Sequence, residues 1–158
     1  MATLRHLAAK FYALFCSAAS SLQSPFLLAV RLYWGWQLAQ SGWGKLHNLD
    51  GVTSFFASLN IPFPSFNAHL TACIEFFGGS LFALGILSRP VSLVLVVTLS
   101  VAYITADREA LMSVFSNPDK FYKADPYTFL FAALIVLIFG PGRFALDTLL
   151  ARRLAATK

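Results

Sequence analysis

Two ionisable side chains, Arg31 and Glu75, sit within long apolar runs of this sequence. A charge at the centre of a bilayer costs about 2.5–3.5 kcal/mol on insertion scales, so such residues are paired or functional. If the two runs are antiparallel helices with Pro25 beside Leu87, Gln37 lies level with Glu75. Arg31 then sits about 9 Å further along the axis at 1.5 Å per residue. A long guanidinium arm spans that gap, so the expectation is an Arg31–Glu75 pair with Gln37 as a third member. Helical spacing puts Arg31, Gly35, Leu38, Gly42 and Lys45 on one stripe, and Ala68, Thr71, Glu75, Gly78, Gly79 and Phe82 on another. The small residues let two helix backbones approach closely, or open space for a flat ligand. Two readings follow: a buried staple that fixes helix register, or a polar slot that binds a quinone-like head group or relays protons. On the second reading Arg31 and Glu75 carry the chemistry, and Gln37, Gly78, Gly79 and Tyr103 line the slot.

Other candidates are weaker. Tyr103 and Asp107 lie one helical turn apart and either line that slot or anchor at the interface. Arg143 and Asp147 have the i, i+4 spacing of a surface salt bridge, with Arg89 able to join. His47 and His69 lack metal-ligand spacing and read as interfacial residues. Cys16 and Cys73 are 57 residues apart and form no C-x-x-C pair, so the sequence encodes no metal site and no dithiol chemistry.

The elements that must position these residues follow from composition. Of 158 residues, 58% are hydrophobic and 12% charged, with 16 Phe and a mean hydropathy of +0.67. A soluble domain is nearer half apolar and a quarter charged. Intrinsic disorder is excluded, and the reading is an integral membrane protein. The net charge of +5 is spread between apolar runs rather than over one basic face, which argues against nucleic acid.

The predicted organisation has three parts. Residues 1–24 form an amphipathic interfacial helix, with a signal peptide as the alternative. Residues 25–150 form an all-α, four-transmembrane-helix bundle, and residues 151–158 a basic cytoplasmic tail. The spans are expected near 25–46, 66–87, 91–106 and 126–139, the first two matching the roughly 20 residues that a hydrocarbon core requires and the last two shorter. A short amphipathic helix over 50–60 and a charged loop over 107–125 join them. Seven basic residues fall on the side of the termini and four on the other. The termini are therefore expected in the cytoplasm. No internal repeat is visible, which weakens a transporter reading.

Three elements in order then resemble the DoxX family of small four-helix membrane proteins. They are Arg31-Leu32-Tyr33-Trp34-Gly35 with Ser41-Gly42-Trp43-Gly44-Lys45-Leu46; Leu59-Asn60-Ile61-Pro62 leading to Glu75-Phe76-Phe77-Gly78-Gly79 and Leu84-Gly85-Ile86-Leu87-Ser88-Arg89; and Gly140-Pro141-Gly142-Arg143-Phe144-Ala145-Leu146-Asp147. The resemblance covers roughly residues 28–150, and Ala145 stands where the family usually has serine. It implies a bacterial inner-membrane protein linked to redox work, similar to the small subunit of thiosulfate:quinone oxidoreductase. It also implies protein partners in a redox complex, and because the sequence shows no flavin, haem or iron–sulfur signature, a partner is expected to supply the electron carrier. A non-catalytic scaffold anchoring soluble redox proteins is the alternative.

Overall fold

A computed structural model describes residues 2–156, and among them every regular element is helical. Helix α1 runs without interruption from Ala2 to His47, 46 residues with Pro25 inside. At 1.5 Å per residue it is about 69 Å long. The expected boundary at Pro25 is therefore not a helix end. Proline removes one N–H and one backbone hydrogen bond, and the flanking turns of α1 tolerate the loss. Helix α2 (Leu49–Ser58) packs on α3 (Pro64–Cys73), whose first residue is a proline suited to a helix start.

Helix α3 continues through a five-residue π turn, Ile74–Gly78, into α4 (Gly79–Leu84). Residues 64–84 thus form one rod of about 31 Å. A left-handed Gly85 (φ 71°) and Leu87 (φ 48°) reverse the chain into α5 (Ser88–Thr105). The charged loop holds two short helices, α6 (Arg108–Met112) and α7 (Pro118–Lys123). Helix α8 (Pro126–Phe139) matches the expected fourth apolar segment, and α9 (Leu146–Ala156) follows the Gly140-Pro141-Gly142 turn. The basic tail is thus the end of a helix, apart from residues 157 and 158, which lie outside the described residues.

The core joins four helical segments. Val30 and Leu38 come from α1, Phe82 from α4, Leu95 and Leu99 from α5, and Ala132, Ala133 and Val136 from α8. The larger apolar side chains face outward instead. Leu93, Val94, Val97, Val101 and Ile104 of α5 and Phe131, Ile138 and Phe139 of α8 are exposed. A soluble monomer does not leave so much contiguous apolar surface uncovered. Two helices, over Lys10–His47 and Ser88–Thr105, are long and apolar enough to cross a membrane.

Candidate functional site

The seam between α1 and the 64–84 rod is built on glycine. A Cβ on Gly35 would stand 2.8 Å from the backbone nitrogen of Ala83, and one on Gly79 would stand 2.6 Å from that of Ala39. At Gly42 a Cβ would strike the backbone of Glu75 and Phe76. These three contacts fix the register: each step back along α1 is matched by a step forward along the rod.

Glu75 therefore lies level with Trp43, and the residues facing it are Ser41 and Lys45. Its carboxylate is buried at 6% exposure. Lys45 Nζ pairs with Oε1, and Ser41 Oγ donates to Oε2 at 3.0 Å. Ser41 and Lys45 are four apart on one face of α1, and Gly42 between them brings the rod within reach of a short serine arm. The lysine keeps a third of its side chain exposed, with its stem along the apolar helix and its head at the carboxylate.

The expected Arg31–Glu75 pair is not formed. Arg31 lies twelve residues before Trp43 on α1, about 18 Å from the level of Glu75. A register that starts the helix at Pro25 differs from this one by about six residues, because α1 runs through that proline. Gln37 is half-buried and bonds neither residue. Gly79 is closed against α1 rather than open to a ligand. Gly78 faces Leu95 and lines an open apolar groove of about 350 Å³ between the rod and α5. Tyr103 is buried with its hydroxyl committed, donating to the Phe121 carbonyl at 2.9 Å while the rings stack at 5.1 Å. It ties α5 to α7.

Arg31 occupies a second polar centre, at the Gly85 turn. It is fully buried, at 0% exposure. Its Nη1 donates weakly to the Ala83 carbonyl at 3.5 Å, while Nε and Nη2 have no partner. Gly85 is required here twice, by its left-handed φ and because a Cβ would collide with the Arg31 guanidinium and with Ala145. Ala145, which stands where the family usually has serine, packs as a fully buried methyl.

Asp147 closes this centre. Its Oδ1 accepts from Leu87 N at 2.9 Å, and its Oδ2 accepts from Ser88 N at 2.8 Å and Ser88 Oγ at 2.9 Å. Its own N–H donates to the Gly85 carbonyl at 3.0 Å. The carboxylate caps the N-terminus of α5, where orphan N–H groups and the helix dipole favour negative charge. Burial pushes the Asp147 carboxyl up, but the Ser88 and Leu87 hydrogen bonds and the nearby Arg31 charge outweigh it, and the net shift is downward. The expected Arg143–Asp147 salt bridge is replaced by this cap. Arg143 instead donates its backbone N–H to Ser24 Oγ at 3.3 Å. One turn beyond Ser88, Ser92 Oγ is also buried without a partner.

Sequence reasoning found Arg31 and Glu75 but not their neighbours. Ser41 and Lys45 carried a usable signal, i, i+4 polar groups flanking a glycine. The joining of Ser88 to Asp147, 59 residues apart, carried none. His47 and His69 each bond a carbonyl of their own helix, at 2.9 and 2.8 Å. Burial, with a further push from Asp125, raises the Asp107 carboxyl.

Comparison with known proteins adds three findings. A family model described as DoxX matches residues 26–108. CatD of Bacillus subtilis (strain 168), a protein carrying an oxidoreductase name, is 36% identical over 69 residues, 44% of this chain and 50% of that protein. The chain thus spans about half the length of this curated relative. No solved structure matches the chain.

Proposed function

The chain belongs to the DoxX family, whose model covers residues 26–108, and from that premise we propose that it is a redox-associated subunit of a bacterial inner membrane holding a quinone-type head group at Arg31. The observation that carries this reading is the fully buried guanidinium with two unpartnered N–H donors, Nε and Nη2. A buried charged donor left unsatisfied is costly. A carbonyl oxygen of a flat, apolar ring supplies the missing acceptor without adding a second charge. An apolar groove lined by Leu81, Pro90 and Val91 lies between the rod and α5 and suits a hydrocarbon tail.

The fit is to an acceptor oxygen at Arg31, not to the six-residue slot expected from sequence, since Glu75, Gly79 and Tyr103 are committed elsewhere. A quinone bound here supplies two-electron redox chemistry, and a partner supplies the electrons. The chain's own task is to bind and orient the head group. In the same reading residues 64–84 and α8 join the two longer helices in crossing the bilayer, with both termini cytoplasmic. The residual basic excess on that side supports the orientation.

The scaffold reading draws on the other centre. Glu75 is neutralised inside the protein by Lys45 and Ser41, so that pair holds helices together and leaves nothing free for a substrate. Arg31→Gln separates the two readings. Loss of two charged donors is worth at least about tenfold in head-group affinity. Quinone extracted from the purified variant should fall by that factor while the fold and partner assembly persist. Wild-type protein that carries no quinone but a stoichiometric soluble partner would establish the scaffold instead.

A further inference from the structure

The first half of α1 has no role in either polar centre. We propose that residues 4–22 dock on an anionic lipid surface by bending at Pro25. A helix of 46 residues is more than twice as long as a hydrocarbon core is thick. Its contact with the bundle begins at Ser24, held by the backbone N–H of Arg143, and at Leu27, against which Gly142 packs. If residues 27–47 span the bilayer, everything before them leaves it on the side of Arg89 and Arg143.

That segment is not built for water. At 100° per residue, Phe11, Leu14, Phe15 and Leu22 fall on one face with Ala18 between them, and all four large side chains are exposed. Leu4, Leu7 and Ala8 share the face in sequence, though their side chains lie outside the described residues. The other side carries Arg5, His6, Ser17 and Ser20, with Lys10 and Ser21 on the flank between the two faces. No Asp or Glu occurs before Asp50. A basic face free of acids, opposite a Phe- and Leu-rich face, matches a helix lying in the headgroup region of anionic lipids. Pro25 provides the bend, since it leaves the Ser21 carbonyl without its helical donor, and sharp kinks form at such prolines.

The test uses the full chain with both cysteines replaced (Cys16→Ser, Cys73→Ser) and a spin label at Ala18→Cys or Ser17→Cys. The protein is reconstituted in phosphatidylcholine vesicles with and without phosphatidylglycerol. With the anionic lipid, the label at 18 should be open to oxygen and shielded from a water-soluble relaxant, and the label at 17 the reverse. Adding Arg5→Gln and Lys10→Gln should lower the docked-to-free ratio about 30-fold, since each basic residue is worth roughly fivefold near such a surface. A label at 18 that stays in water overturns the inference. So does docking that ignores both lipid charge and the basic residues. Spin–spin broadening that disappears on dilution with unlabelled protein overturns it in favour of a second copy. An intact mass showing that the mature chain starts beyond Ala19 removes the segment and the inference with it.

Discussion

At the π turn, Glu75 has two side-chain partners from one neighbouring helix; at the Gly85 turn, Arg31 has one long contact to a carbonyl and two donors with none. Both charges are buried in the same seam, about 18 Å apart along it. Glu75 is satisfied by side chains four residues apart on α1, and such a pair forms whenever the helices dock. The carboxylate acting on Arg31 is Asp147, which spends its hydrogen bonds on Leu87 and Ser88. The difference separates a charge whose hydrogen bonds are filled within the protein from one with two N–H groups that have no partner.

The largest effect expected from breaking this contrast is at Asp147. Asp147→Ala removes the α5 cap and the nearest negative charge to Arg31, and should cost about 3 kcal/mol, seen as a lower Tm in detergent. Gly42→Ala comes next. Its Cβ meets the Phe76 backbone, which cannot step aside, so a loss of about 2 kcal/mol is expected. Gly44→Ala, with nothing within 4 Å, should stabilise slightly by helix propensity. Glu75→Gln keeps an acceptor for Ser41 and loses the charge for Lys45, a cost of about 1 kcal/mol. Arg31→Met, which replaces a poorly satisfied charge by an apolar chain of similar length, should cost less than that or stabilise the ligand-free protein. If Arg31→Met proves the worse of the two, the open-donor account of Arg31 fails.

The two ends should also respond to acid in opposite directions. Asp147 has a lowered folded pKa, so its contribution is complete above the ordinary value of 3.8 and is lost as pH falls below it. Asp107 has a raised folded pKa, so the folded state binds its proton more readily and stability falls as pH rises above 3.8 through the folded value. Unfolding scans against pH should therefore lose their acid-side drop in Asp147→Asn and flatten above it in Asp107→Asn. At the small end, Lys120→Ala breaks the exposed Lys120–Glu109 pair at 2.7 Å and should leave Tm unchanged, as surface pairs usually do.

Much of the helical layout was legible because apolar runs and prolines are local signals. The limits of α8 appear in the spacing of Pro126 and Gly140, and the start of α5 lies within a few residues of where Ser88-Arg89-Pro90 places it. Pro25 misled for the same reason. A proline is compatible with a helix interior when neighbouring turns hold, and nothing in the local sequence says whether they do. The continuous helix shifts the α1 register by about six residues and brings Lys45 rather than Arg31 to Glu75.

Sequence alone determined that this chain is helical, apolar on the outside and burdened with two charges in its seam, because composition and period-3.6 patterning are properties of the chain itself. Tertiary structure decided which groups those charges meet. Glycine contacts between α1 and the rod set the sliding position, and a side chain only a few ångströms long reaches a partner at one such position and misses it one turn away. Asp147 reaches the start of α5 only after the chain has passed through α8 and turned back, an encounter that depends on packing rather than on neighbours in sequence.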